Sequence, residues 1–417
     1  MKTNDRYYFY FKLALVTVAA AMVLYELFYC DHFIGYMDGK YYYQYLPEFF
    51  IERNFSFYVK FPMGTALCEL PFFLVAHLLT LWLSPGNVTG YGGFYEYAVG
   101  FCGIFFFLVG CVLLFKVLRE LFESKNALFT MLLLIVGTPL GLYATKYASF
   151  SHVYTFAMGS ALLFFILRMD ADPKREMGYA FLTGLVAGWI FILRNVNIVF
   201  LLIYLLYDFG SGRRWTDHLA KVFSLRRLPF HIIGGLVLVL PQCLYWKRTT
   251  GSFLLNTYAD ERFAYLGEPK ILEVLFSDAK GYFIFTPLMI LAVLGWFFMR
   301  RTKAKSFRFG VPLLFFYILC ITSTWWCWWL GGVYSIRVFL DILPFMALSL
   351  GAFMACLDYW IRQKSGMEKR VYTGIYVICI LFFVYVNLAL LAGAQRGIVN
   401  ETFSNWWELR RAIFHWI

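Results

Sequence analysis

Charge is scarce in this 417-residue sequence. Asp, Glu, Lys and Arg make up 15% of it, against 61% hydrophobic and 22% aromatic residues. A soluble domain carries about 25% charge, so both a soluble enzyme and a disordered chain are excluded. A polytopic membrane protein remains. Acids are scarcer than bases, 25 against 37, for a net charge of +12. No internal repeat, low-complexity tract or soluble-domain stretch interrupts the chain, which reads as one integral-membrane domain over 1–417. The nine cysteines lack any zinc-type spacing. Cys102, Cys111, Cys320, Cys356 and Cys379 lie inside apolar runs, where a thiol behaves as a small hydrophobe. No disulfide framework or metal site is expected from them.

What is present is a series of apolar runs. The first, Phe11 to Tyr29, has no cleavage site behind it and reads as a membrane span, with Lys2, Arg6 and Lys12 in the cytoplasm. Others lie near 98–118, 127–145, 152–168, 179–193, 197–209, 230–246, 283–299, 310–325, 338–358 and 371–393. The run 61–83 contains Glu69, Pro71 and His77, and a charge count decides its treatment. If it does not cross, the cytoplasmic segments hold 23 of the 37 Lys and Arg; if it crosses, they hold 14. Cytoplasmic loops are enriched in Lys and Arg. The expectation is therefore eleven spans, with 61–83 in the interface or re-entrant, the N-terminus inside and the C-terminus outside. The positive charge then anchors orientation, and no nucleic-acid partner is expected.

That topology collects four polar groups on the outer face. The loop 30–97 carries Asp31 and Asp38, either of which suits a general base when an apolar lid raises its basicity; Tyr42 follows. His152 stands before the fourth span. The loop 247–282 reads as a lid and carries Asp260, Glu261, Arg262, Glu268, Lys270, Glu273, Asp278 and Lys280. The last group holds Trp325, Trp328, Gly331-Gly332, Arg337 and Asp341. Arg337 and Asp341 are spaced i, i+4 and are expected to pair on one helical face. A guanidinium grips two phosphate oxygens at once, so Arg337 fits a phosphate clamp. Arg194 is a further outer-edge cation.

At these residues the sequence resembles the GT-C glycosyltransferases. The resemblance rests on Asp38-Gly39 followed by Tyr41-Tyr42, Phe61-Pro62-Met63-Gly64, Pro71-Phe72-Phe73, Ser151-His152, Arg194 with Asn195 and Asn197, Leu275-Phe276-Ser277, Thr286-Pro287, and Gly331-Gly332 with Arg337 to Pro344. It is most similar to bacterial members related to the protein-mannosyltransferase and aminoarabinose-transferase groups. The resemblance implies an all-α GT-C fold with about eleven transmembrane helices and interfacial helices in the first outer loop. It implies a polyprenyl-phosphate-linked sugar as donor, a lipid, glycan or protein as acceptor, and a bacterial inner membrane. Many family members place an acid in the second outer loop where His152 stands here. No cofactor is firmly implied, no metal ligand is assigned, and a divalent cation is left as an option.

The expected reaction is inverting glycosyl transfer on the outer face. Asp38 is the preferred base and Asp31 the reserve. Arg337, Lys280, Arg262 and Arg194 would bind the donor phosphate, while His152, Tyr42, Trp325, Trp328 and Asp341 would position sugar or acceptor. Phosphate leaves without being protonated, so one carboxylate suffices where a glycosidase needs two. A transporter or flippase of a lipid-linked substrate is the alternative, and a non-catalytic assembly factor the third reading. The edge placement of the ionisable residues and the missing inverted repeat count against transport.

Overall fold

The computed structural model describes residues 3–414 apart from Cys30, Arg213, Thr257, Ala259 and Asp260, so of the lid-loop charges Asp260 lies outside the described residues. The described residues are helical and contain no strand. In chain order, α1 spans Thr3–Phe28, α2 Met37–Tyr43, α3 Tyr45–Phe50, α4 Gly64–Leu83 and α5 Phe94–Leu121. Then follow α6 (Ser124–Gly137), α7 (His152–Ala171), α8 (Glu176–Leu193) and α9 (Leu228–Thr250). Next come α10 (Met289–Met299), α11 (Gly310–Thr324), α12 (Leu343–Arg362) and α13 (Gly366–Gln395), and a short helix, Trp406–Phe414, follows. Among the described residues eight helices are long and apolar enough to cross a membrane, and four apolar helices are shorter.

The shorter helices correct the expected spans, and proline accounts for two of the breaks. The run 127–145 stops at Gly137. Pro139 follows, and a separate short helix covers Leu140–Ala144. The run 283–299 is cut at Thr286-Pro287, leaving Tyr282–Phe285 apart from α10. A proline supplies no N–H and pushes its predecessor out of helical geometry. The run 197–209 opens as a 3₁₀ helix, Asn195–Leu201, and continues as a single turn, Leu202–Leu205.

Close glycine contacts hold the bundle together. A Cβ on Gly184 of α8 would lie 2.1 Å from the carbonyl oxygen of His231 in α9, and one on Gly188 would lie 2.7 Å from that of Gly235. Small residues four apart let two backbones approach where no hydrophobic effect separates helix from lipid.

The bundle has two chemically different ends. One gathers ion pairs between helix termini: Arg168 with Glu120, Arg227 with Asp170 and Glu176, Lys125 with Asp358, and Arg362 with Glu123. The other end carries His152, Arg194 and Arg337. Helix α4 packs at this second end. Trp189 Nε1 donates to the Gly64 carbonyl at 3.2 Å, and Gln242 Oε1 accepts from the Met63 N–H at 2.7 Å. Tyr154 hydroxyl donates to Glu69 at 3.3 Å, and the His77 ring meets the Tyr95 hydroxyl at 2.9 Å.

Candidate active site

A cavity of about 460 Å³ opens at the His152 end. Its floor comes from four parts of the chain that are distant in sequence. Asp38 sits in the first turn of α2. Gly39 behind it lies inside the same helix and is a contact residue. A Cβ there would lie 2.2 Å from Ser149 Oγ and 2.6 Å from the Phe33 carbonyl oxygen. Ser149 in turn donates to the carbonyl of His32. Only glycine lets α2 lie this close to the 145–151 segment, and that approach sets the position of Asp38.

Arg337 begins a 3₁₀ helix, Arg337–Ile342, ahead of Pro344. Its guanidinium lies over the Phe150 ring at 5.0 Å and forms an ion pair with Asp38. The expected pairing of Arg337 with Asp341 does not occur. In an α-helix residues i and i+4 share a face. At three residues per turn they stand about a third of a turn apart. The two side chains therefore point to different partners.

Asp341 is fully buried, and three donors converge on it. His152 Nδ1 lies 2.7 Å from Oδ1, and Oδ2 accepts from Asn197 Nδ2 at 2.9 Å and from Arg194 Nη1 at 3.3 Å. A carboxylate taken out of water needs this many partners. The arrangement assigns the His152 proton to Nδ1 and leaves Nε2 as an acceptor. His152, Arg194 and Arg337 all line the cavity.

Aromatic rings close the remaining walls. Tyr42 stacks on Phe61 at 4.6 Å between centroids, and its hydroxyl accepts from Ser151 at 3.3 Å. Burial pushes the Tyr42 phenol well above its ordinary value, so it stays neutral. Trp325 makes edge contacts with Tyr258 and Phe263. Glu261 ties two loops across the rim, pairing with Lys60 and accepting from Trp326 Nε1 at 3.1 Å. Burial works against the Lys60 ammonium, but Glu261 outweighs it and raises its pKa.

Of the residues singled out from sequence, Asp38, Tyr42, His152, Arg194, Trp325 and Arg337 line the cavity, with Asp341 directly behind it. Four others stand elsewhere. Asp31 accepts from the Tyr36 hydroxyl at 2.5 Å and from the Phe33 N–H at 3.1 Å, on the exposed side of the loop. Lys280 has no exposed surface; its ammonium donates to the Gly331 carbonyl at 2.5 Å and to that of Val333. It braces the glycine turn and does not reach the cavity. Burial and the like charge of Arg337 lower its pKa to about 7. Arg262 is exposed and does not line the cavity; its carbonyl accepts from the Ala264 and Trp326 N–H groups, both at 3.1 Å. Trp328 packs edge-on against Trp329, off the cavity wall. Sequence reasoning missed Lys60, Phe150, Asn197 and Tyr258 as wall or network residues. Lys60 adjoins Phe61-Pro62, and Asn197 was noted only as part of a pattern. Among the described residues no group of three or more His, Cys, Asp or Glu is placed to hold a metal ion.

The overall arrangement matches known structures. ArnT from Cupriavidus metallidurans in the apo state superposes with a TM-score of 0.56 at 15% identity, covering 91% of this chain and 71% of that one. The same enzyme bound to undecaprenyl phosphate gives 0.53 at 15% identity, with 92% and 71% covered. The chain has a GT-C fold. The archaeal oligosaccharyltransferase AglB from Archaeoglobus fulgidus, in complex with an inhibitory peptide and a dolichol-phosphate, gives 0.56 at 11% identity, covering 94% of this chain and 56% of that one. The profile of a family described as dolichyl-phosphate-mannose-protein mannosyltransferase matches residues 82–246. No curated protein matches the chain by sequence. With this fold and its long apolar helices, the chain is an integral membrane protein whose polar cavity lies at one end of its helices.

Proposed function

We propose that this chain is a glycosyltransferase that moves a sugar from a polyprenyl-phosphate donor to a hydroxyl acceptor on the extracytoplasmic face. The observation that carries this reading is the cavity that Asp38 shares with two guanidinium groups, Arg337 and Arg194, its other carboxylate, Glu261, being paired with Lys60 at the rim. The folds of an enzyme crystallised with undecaprenyl phosphate and of one holding dolichol-phosphate lend it support.

In this mechanism the donor phosphate, carrying one negative charge, enters between Arg194 and Arg337. Phosphate and Asp38 then compete for Arg337, and the carboxylate is released to face the acceptor. The acceptor oxygen attacks the anomeric carbon while its proton passes to Asp38. The bond from that carbon to the phosphate oxygen breaks, and the lipid phosphate departs with two negative charges. Attack opposite the departing phosphate inverts the carbon. Arg337 and Arg194 stabilise the charge as it grows, which is where a fixed cation contributes most. His152 Nε2, kept unprotonated by the Nδ1 bond to Asp341, accepts from a sugar or acceptor hydroxyl. The aromatic walls suit the flat faces of a pyranose or furanose.

The charges support the orientation. The end opposite the cavity bears Arg119, Arg168, Arg227, Arg301 and Arg362, the pattern of a cytoplasmic face. The contacts of α4 with Tyr154, Trp189 and Gln242 keep it at the cavity end, which favours a re-entrant element and eleven crossings. A bacterial inner membrane is the matching location.

The test is incubation of the purified protein with a labelled polyprenyl-phosphate sugar. Transfer or slow hydrolysis is expected, and loss of at least about 100-fold in Asp38→Asn, the lower end of what a general base supplies. Normal turnover by a folded Asp38→Asn protein rejects the mechanism. Protected movement of label across a vesicle with no chemistry rejects the enzyme.

A further inference from the structure

A second cavity, of about 1270 Å³ against about 460 Å³ for the first, lies at the opposite end of the bundle. Along α12 and the 3₁₀ turn before it, Asp341 marks the first cavity and Asp358 the second, about 25 Å apart at 1.5 Å per residue. The second cavity is formed by the end of α5, the start of α6, the segment 298–303 and the end of α12.

Its charges do not balance. Five cations line it, Arg119, Lys125, Arg301, Lys303 and Arg362, against two carboxylates, Glu123 and Asp358. Both carboxylates are already engaged. Glu123 meets Arg362 at 3.0 Å, and Asp358 meets Arg362 at 2.5 Å and Lys125 at 3.2 Å. Arg119 stacks over the Tyr8 ring at 5.1 Å, and among the described residues it has no carboxylate within 4 Å. Arg301 and Lys303 are exposed and likewise unpaired among those residues.

A buried group points into the same space. Asn126 is 5% exposed and lines the cavity, and no hydrogen bond to its side-chain amide is present among the described residues. Asn126 also lies in the first turn of α6, where backbone N–H groups have no intrahelical acceptor. Three unpaired cations, an unpartnered amide and a helix start share one concavity, which is the donor set of an anion site. Leu121, Phe122, Phe298, Phe353 and Leu357 add an apolar stretch of wall. A free anion has no use for such a wall, whereas an amphiphile at the membrane surface does.

We propose that this cavity binds the phosphate of an anionic membrane lipid, held by Arg119, Arg301, Lys303 and the Asn126 amide, with the first carbons of its chains against the apolar wall. The site is separate from the glycosyl-transfer cavity and does not depend on that reading.

The test uses the full chain, purified and delipidated in neutral detergent. Phosphatidylglycerol, phosphatidylcholine and inorganic phosphate are titrated separately, read by native mass spectrometry and thermal unfolding. Phosphatidylglycerol should bind saturably as one tight copy and raise the melting temperature, and phosphatidylcholine should do neither. The triple variant Arg119→Gln, Arg301→Gln, Lys303→Gln should weaken that binding at least about tenfold, with catalysis at the other end unchanged. Asn126→Leu, which keeps every charge, should weaken it too and carries the test if the triple variant does not fold. Undiminished lipid retention in these variants overturns the site. Inorganic phosphate that saturates the site alone and displaces the lipid overturns the lipid form and leaves a free phosphate as ligand.

Discussion

Asp38 and Arg337, 299 residues apart in the chain, form an ion pair at the wall of one cavity, with Asp38 34% and Arg337 14% exposed. Each charge satisfies the other. In the proposed mechanism a donor phosphate that takes Arg337 also unmasks the carboxylate, which couples donor binding to the readiness of the base.

The coupling predicts unequal effects of two substitutions. Arg337→Gln removes a charge-assisted contact of about 1.5–3 kcal/mol, so apparent donor affinity should fall roughly ten- to hundredfold. Asp38→Asn should leave donor affinity equal or higher, because the competitor for Arg337 loses its charge, while kcat collapses. Donor titrations of both purified variants check this. Weaker donor binding in Asp38→Asn would remove the competition from the mechanism.

The buried carboxylate of Asp341 makes a second prediction. Asp341→Asn leaves Arg194 and His152 beside a neutral amide that can serve neither fully. Removing one partner from a buried charge cluster costs about 3–5 kcal/mol. The melting temperature should drop clearly, and activity should fall through loss of the His152 tautomer. His152→Gln, which keeps a hydrogen-bonding side chain, should lose activity with a much smaller drop in stability. Equal destabilisation by the two would make His152 a purely structural residue.

Gly39 tests the position of α2. Gly39→Ala drives a methyl to within 2.2 Å of Ser149 Oγ, and overpacking of this kind costs about 1–3 kcal/mol. Activity should fall because Asp38 moves with the helix. Ser149→Gly in the same chain should restore part of it, since the Phe33 carbonyl at 2.6 Å stays in the way. Full activity of Gly39→Ala alone would mean that α2 is free to shift.

How far the sequence could be read follows from these cases. Apolar length revealed the long helices, since hydropathy needs no knowledge of neighbours. It failed where prolines 139 and 287 cut a continuous apolar run, and at 197–209, where a 3₁₀ segment opens it. Asp38, His152, Arg194 and Arg337 were visible as polar residues at the edges of apolar runs. Their pairing was not, because Asp38 meets Arg337 and His152 meets Asp341 only through tertiary packing. Lys280 shows the opposite error: a lysine at a membrane edge looked like a phosphate ligand, yet two backbone carbonyls consume it. The pairing of Lys60 with Glu261 was obscured because such ion pairs carry no local pattern.

A buried histidine outside the spans supplies the pH prediction. His32 Nε2 meets Glu26 at 2.8 Å, and Nδ1 meets the Thr145 carbonyl at 2.9 Å. Burial opposes the imidazolium, but Glu26, Glu96 and that carbonyl outweigh it, so the folded pKa lies above the ordinary 6.5. Protons bind the folded form more tightly than the unfolded one. The stabilisation is therefore complete below pH 6.5 and is lost as pH rises through the raised value. The melting temperature of the wild type should fall across that window, and His32→Gln should flatten the dependence. Because the His32 carbonyl also anchors Ser149, and Ser149 packs against Gly39, the same window should loosen α2 and lower kcat. A pH profile of stability identical in wild type and His32→Gln would show that this histidine is neutral in the folded protein.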